Sequence, residues 1–195
     1  TVLSRGLGDV YKRQGTSDNQ PQTGINTING KNVLTFDGTD DWLNLSDSLI
    51  SDPKNCAIFV VFQSLNSSGM VFGTKSTPWK IYITYDTSSG FKVSLYNADI
   101  LPDTPVYYSS GKILIEINGN EGSFDISFIT GSSIQTKNLT QTSVGTPTGV
   151  NIGSYNDGGN TFFNGDFAEM IVFNRSLSVN EDSKVKSYLQ KKWGI

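Results

Sequence analysis

Carboxylate, tyrosine, tryptophan and lysine side chains carry whatever chemistry this sequence holds. It has no histidine, so no Ser-His-Asp or Cys-His nucleophilic site can be assembled, and His-ligated zinc is excluded. The one cysteine, Cys56, opens the run Cys56-Ala57-Ile58-Phe59-Val60-Val61-Phe62. That run reads as a buried strand, so Cys56 is expected to pack rather than react, and no intrachain disulfide can form.

Acidic residues group in two places. Asp37, Asp40 and Asp41 sit on a turn around Gly38. Such an oxygen cluster can hold Ca²⁺, or its side chains can cap the turn through local hydrogen bonds. No contiguous loop has EF-hand spacing. Asp166 and Glu169 form the second group. A jelly-roll glycosidase would place Glu-x-Asp-x-Glu or Glu-x-Asp-x-x-Glu on one strand, so that two carboxylates share a face. No such triplet occurs, and Glu116, Glu121, Asp125 and Glu169 are too far apart in sequence to imitate it. Carboxylates meeting across strands would be the remaining route to hydrolysis.

Aromatic side chains beside amides point to recognition. A pyranose presents an apolar face to an aromatic ring and hydroxyls to planar Asn or Asp groups. Ser154-Tyr155-Asn156-Asp157-Gly158-Gly159-Asn160 has this composition, with Tyr155, Asn156, Asp157 and Asn160 as candidate ligand-binding residues. Thr77-Pro78-Trp79, followed by Tyr82 and Tyr85, is the second candidate, with Trp79 and Tyr85 as contacts. The plain structural alternatives are that Tyr155 covers a loop and Trp79 belongs to the core. No metal ligand is assigned.

The elements that must position these groups are short strands. Apolar and β-branched runs occur at Val33–Asp37, Trp42–Leu45, Cys56–Gln63, Met70–Gly73, Lys80–Tyr85, Phe91–Tyr96, Lys112–Asn118, Ser123–Ile129, Ile134–Leu139, Val150–Ile152 and Phe167–Phe173. Gly, Asn, Asp and Ser fill the breaks, which indicates a sandwich or barrel. Asn118-Gly119-Asn120-Glu121-Gly122 is a hairpin signal, and Asn164-Gly165 reads as a turn or bulge. Gly15 to Lys31 is polar and reads as loop. Ser178-Val179-Asn180-Glu181 fits a capping box. Val185, Leu189 and Trp193 follow at helical spacing, with Lys184, Lys186, Lys191 and Lys192 off that stripe and Gly194 as the stop.

Composition bounds the partners. A chain of 195 residues can hide about 70% of its unfolded surface, so one domain is the default. The net charge of −3 with scattered basic residues argues against a nucleic-acid groove. No apolar run approaches the ~20 residues of a membrane span, so membrane insertion is not expected. Asn-x-Ser/Thr sequons at Asn44, Asn66, Asn138 and Asn174 are explained by a composition rich in those residues.

Two stretches together resemble the laminin-G-like, concanavalin A-like domains of the lectin–glucanase superfamily. One is Phe36-Asp37-Gly38-Thr39-Asp40-Asp41-Trp42, a strand–turn–strand. The other is the closing strand and capped helix from Phe162 to Ile195. The resemblance implies an all-β, concanavalin A-like jelly-roll β-sandwich of two antiparallel sheets with a C-terminal α-helix. It also implies a non-catalytic module that binds a glycan or a cell-surface protein within a larger secreted, surface or virion protein. The alternatives are a structural module, such as a phage decoration or adhesin spacer, and a glycoside hydrolase. Many members carry Gly-x-Ile-Asp-Glu-Val in the closing strand, where the Asp helps hold calcium. Here Ala168 stands at that Asp position, so a bound Ca²⁺ would need other ligands. Residues 1–14 resemble translated sequencing linker from metagenomic reading frames. On that reading they replace the first strand, leaving 15–195 as the domain and implying an uncultured microbial or viral source. A genuine arm or inter-domain linker is the alternative.

Overall fold

A computed structural model describes residues 19–45, 49–65, 68–74, 81–95, 98–102, 106, 111–131, 133–141, 149–155 and 161–195. Their strands in chain order are β1 (Gln22–Ile28), β2 (Lys31–Asp37), β3 (Leu43–Leu45), β4 (Ala57–Ser64), β5 (Gly69–Thr74), β6 (Ile81–Asp86), β7 (Gly90–Leu95), β8 (Ala98–Ile100), β9 (Lys112–Asn120), β10 (Ser123–Thr130), β11 (Ser133–Thr140), β12 (Val150–Ile152) and β13 (Asn164–Phe173), followed by α1 (Val179–Trp193). They form two antiparallel sheets. The seven-stranded sheet has the order β1-β2-β13-β4-β9-β10-β11, and the six-stranded sheet β3-β12-β5-β6-β7-β8. The expected jelly-roll sandwich with a terminal helix is the observed architecture.

The pattern of each strand follows from what covers it. β4 is apolar at nearly every position because both its faces are buried. Ile58, Val60 and Phe62 meet the six-stranded sheet in the main core. Ala57, Phe59 and Val61 point the other way, beneath α1. β9 repeats this arrangement, with Ile113, Ile115 and Ile117 inside and Leu114 under the helix. In the six-stranded sheet only one face enters the main core, so its strands alternate: Ile81, Ile83 and Tyr85 point inward, as do Val93, Leu95, Val150 and Ile152.

α1 closes the outer face of the seven-stranded sheet. Ser178 accepts from the Glu181 amide at 3.4 Å, and the Glu181 carboxylate accepts from the Ser178 amide at 3.0 Å, the reciprocal capping box. Leu189 and Trp193 are buried in the helix–sheet cluster, with Val185 packed against it. Burying each such large side chain stabilises by roughly 1.5–3 kcal/mol. Glu169 of β13 accepts from Trp193 Nε1 at 2.6 Å and pairs with Lys192 at 2.9 Å, which fixes the last turn.

Three expectations need correction. Residues 22–28, read as loop, form edge strand β1, joined to β2 through Asn29-Gly30, both at positive φ. β1 is exposed at most of its positions, and a polar edge strand has no alternation to betray it. Asn164-Gly165 is no turn: β13 begins there, and the bulge falls between Phe167 and Glu169, with Ala168 as the extra residue. Lys186, placed off the apolar stripe, is drawn under the helix between Asp182 and Glu116. Residues 1–14 lie outside the described residues.

Candidate functional site

The outer face of the six-stranded sheet carries a polar row that the register places in line. Asn44 of β3 faces Asn151 of β12, which faces Gly73 of β5, which faces Tyr82 of β6, which faces Ser94 of β7. Leu43 and Leu45, Val150 and Ile152, Ile81 and Ile83, and Val93 and Leu95 enter the core, so Asn44, Asn151, Tyr82 and Ser94 between them point outward. An outer sheet face open to water would leave them exposed, yet Asn151 is 1% and Tyr82 8% exposed. Each therefore sits in a covered environment, where a polar group needs a partner.

Gly73 makes room at the centre of the row. A Cβ there would stand 2.4 Å from Tyr82 Cδ1 and 2.5 Å from Met70 Sδ, so the Tyr82 ring occupies the space a side chain would fill. Tyr155 meets Tyr82 edge-on, with centroids 5.5 Å apart and planes at 66°. Burial pushes the Tyr82 phenol above its usual range, and the hydrogen bond and charge of Tyr155 push the same way. Tyr155 itself is half-buried. The base of its segment is anchored: the Gly153 amide donates to the Val71 carbonyl at 3.2 Å, and its carbonyl accepts from Phe163 at 2.8 Å. Gly153 has φ +91°, and a Cβ there would stand 2.5 Å from the Phe36 ring and 2.9 Å from the Asp41 carbonyl. The Tyr155 segment and the acidic turn are thus packed together.

Of the sequence candidates, the structure brings Tyr155 onto this outer face. Tyr85 is corrected to a core residue, 3% exposed, with its ring centroid 4.7 Å from that of Phe91. The odd positions of β6 all turn inward, so Tyr85 has no ring face to offer a sugar. Trp79, Asn156, Asp157 and Asn160 lie outside the described residues. Asn151 and Ser94 were not singled out from sequence, and Asn44 only as the asparagine of a sequon. Each is a lone polar residue flanked by apolar ones in a strand, and only the register lines them up.

The acidic groups resolve into local roles. The ligand oxygens of Asp37, Asp40 and Asp41 lie within 4.8 Å of one another, a donor set of the kind a hard cation takes. Asp37 Oδ1 accepts from the Thr39 amide at 2.7 Å, and Asp41 Oδ2 from the Asp37 amide at 2.9 Å, so both cap the turn. Burial pushes Asp41 up to about 6, opposed by the Asp37 amide and reinforced by the charges of Asp37 and Asp40. Ala168 is buried in the helix–sheet cluster. Asp166 accepts from Thr35 Oγ1 at 2.7 Å and Asn26 Nδ2 at 3.0 Å, holding β1 and β2 to β13.

A cross-element carboxylate pair does form, away from the polar row. Lys186 Nζ lies 3.0 Å from Glu116 Oε2 and 2.5 Å from Asp182 Oδ2. Burial pushes Glu116 up to about 7, the hydrogen bond from Asp182 adds to this, and Ser127 and Lys186 oppose it. Burial works against the Lys186 charge, but the two carboxylates outweigh it and hold its pKa above the usual value. Glu116 is 1% exposed beneath α1, where a substrate has no approach, so the three groups act as an ionic contact between helix and sheet.

No protein family and no curated protein matches the chain by sequence. Its fold is similar to solved structures. Domain 4 of AbnA, an extracellular arabinanase from Geobacillus stearothermophilus, in complex with arabinotriose, aligns at TM-score 0.59 and 11% identity, covering 82% of this chain and 81% of that one. The carbohydrate-binding module CBM40 of the Ruminococcus gnavus IT-sialidase, bound to α2,3-sialyllactose, aligns at TM-score 0.51 and 12% identity, covering 68% and 82%. An arabinofuranosidase complexed with arabinofuranosyl-α-1,2-xylobiose aligns at TM-score 0.64 and 13% identity, covering 87% of this chain and 42% of that one.

Proposed function

We propose that this domain is a non-catalytic carbohydrate-recognition module, working within a larger extracellular or surface protein. The observation that carries this reading is the match, domain for domain, to two carbohydrate-bound modules. The chain covers four-fifths of the arabinose-oligosaccharide-bound domain and of the sialyllactose-bound one. Of the arabinofuranosidase it spans less than half.

The site we assign is the outer face of the six-stranded sheet around Tyr82 and Tyr155. Tyr155 offers a half-buried ring and Asn44 a half-buried amide for sugar hydroxyls, while Asn151 and Ser94 are buried and form the floor beneath them. A hydrolytic role is disfavoured because the buried carboxylate pair lies under the helix on the opposite sheet. Calcium is given no part in this reading, because Ala168 stands where the resembling family carries its calcium-holding Asp and is buried in the helix–sheet cluster. The assembly-module alternative would want a contiguous apolar patch. Among the described residues the exposed large apolar side chains Ile25, Leu65, Leu101 and Ile134 lie on separate parts of the chain, and Val179 and Tyr188 stand more than two turns apart on α1.

The test is binding of the purified protein to immobilised oligosaccharides, with and without EDTA, alongside Tyr155→Ala. The reading expects a defined ligand, unaffected by EDTA and lost in the variant while the melting temperature holds. Unchanged affinity in Tyr155→Ala would remove the site, and release of cleaved product would overturn the non-catalytic assignment.

A further inference from the structure

We infer that α1 is a pH-gated cover on the seven-stranded sheet: Glu116 and Asp182 share one proton beneath it, and the helix loosens from the sheet, with the sandwich intact, when that proton is lost.

The charges beneath the helix call for the proton. Glu116 of β9 is 1% and Asp182 of α1 8% exposed. Among the described residues one cation faces them, Lys186, 3.0 Å from Glu116 Oε2 and 2.5 Å from Asp182 Oδ2. Two ionised carboxylates around one ammonium would leave a net negative charge buried, and an uncompensated buried charge is strongly destabilising. One proton makes the cluster neutral.

The hydrogen bonds place that proton. Asp182 Oδ1 is buried, and no N–H or hydroxyl among the described residues reaches it, whereas a buried acceptor is expected to have a donor. The Glu116 carboxyl lies within hydrogen-bonding reach of Asp182, so a protonated Glu116 is the donor that Oδ1 lacks. Ser127 of β10 bonds the same carboxyl, with its Oγ also 3.4 Å from Thr136 Oγ1 of β11. From β4 the facing residue is Phe59, which brings no charge. Burial first, and then the Asp182 hydrogen bond, carry Glu116 up to about 7. Proton loss therefore falls near neutrality.

The packing lets the helix move by itself. Leu189 and Trp193 are buried with Phe59, Val61, Leu114 and Phe173 in a cluster on the outer face of the sheet. No α1 residue enters the core between the two sheets, so α1 can open as a separate unit while that core stays closed. The last turn is tied down by Glu169, which holds Lys192 and Trp193, and by Lys112, whose Nζ donates to the Trp193 carbonyl at 3.2 Å. The shared-proton cluster is the ionic contact that holds the turns before it. Once α1 opens, Glu116 meets water and its pKa returns to about 4.5. A pKa raised in the closed state favours closure fully below about pH 4.5. That contribution declines through the window to about 7 and is lost above it.

Hydrogen exchange of the whole chain, followed by mass spectrometry at pH 5 and pH 8, tests this. Each rate is divided by the intrinsic rate at the same pH. A pKa moving from 4.5 to about 7 predicts that protection of the α1 amides falls about 70-fold between the two pH values. At pH 8 the α1 amides should be at least about tenfold less protected than those of β4 and β9, the mark of an opening smaller than global unfolding. Glu116→Gln, whose amide can donate to Asp182 but cannot ionise, should reduce the fall to under about threefold. Asp182→Asn, which leaves Glu116 one-to-one with Lys186, should reduce it to under about tenfold. A fall in the wild type of less than about threefold would overturn the pH gate. Equal protection of α1 and the strands would overturn its separate opening. A full-sized fall in Asp182→Asn would overturn the shared proton and leave burial alone as the cause.

Discussion

Replacing Glu116 with glutamine should remove a pH dependence from the stability of the domain. Glu116 of β9 is sealed beneath α1, faced by Lys186 and Asp182 from the helix, Ser127 from β10 and Phe59 from β4. Burial, aided by the Asp182 carboxyl, raises its pKa from 4.5 to about 7. The folded protein therefore holds a proton that the unfolded chain gives up. Below about pH 4.5 both states are protonated and the stabilisation is complete. It declines as pH rises and is lost once pH passes about 7. At about 1.4 kcal/mol per pH unit the whole effect is roughly 3 kcal/mol. Glutamine keeps the shape and the hydrogen-bonding capacity but cannot ionise. Urea unfolding of both proteins at pH 5, 6, 7 and 8 should show the variant gaining on the wild type by about 2.5 kcal/mol across the series. Asp41 titrates near 6 but is common to both proteins and cancels in the difference. Curves that stay parallel within about 0.5 kcal/mol would refute the account of Glu116 as a buried, proton-holding carboxyl.

Other perturbations probe other contacts. Glu169→Ala leaves Lys192 and the Trp193 indole N–H without their partner, and a loss of about 2–4 kcal/mol in urea unfolding is expected. Ser178→Ala removes the reciprocal cap of α1 and should cost about 1 kcal/mol, read as a drop in melting temperature of about 2–4 °C. Gly73→Ala places a Cβ against the Tyr82 ring and Met70 sulfur; oligosaccharide affinity should fall at least tenfold, with the domain still folding cooperatively by differential scanning calorimetry.

Much of the architecture was legible because local patterns and tertiary context agreed. The capping box at Ser178 and Glu181 reads directly from residue types, and the stripe of Leu189 and Trp193 reads from spacing. The uninterrupted apolar run of β4 announced a strand buried on both faces. β1 was illegible because an edge strand needs backbone pairing and little apolar content. β8 (Ala98–Ile100) is too short to show a period. Tyr85 looked like a contact residue because a tyrosine near Trp79 suits a sugar site, and sequence does not reveal which face of β6 enters the core.

Residue order alone determined the class: an all-β chain closed by a capped helix, without histidine chemistry, a His-ligated zinc site or an intrachain disulfide. Those conclusions depend on residue inventory, turn chemistry and local periodicity, which operate within a few residues. The polar row from Asn44 to Ser94 was decided only in three dimensions. Its members are scattered over more than half the chain, and strand register across the five-strand span β3, β12, β5, β6 and β7 aligns them. Tertiary packing likewise decided that Glu116 and Asp182 share a lysine beneath the helix. Whether a carboxylate meets water, a ligand or a buried cation is set by what packs over it, and that is a property of the assembled sheets rather than of any segment.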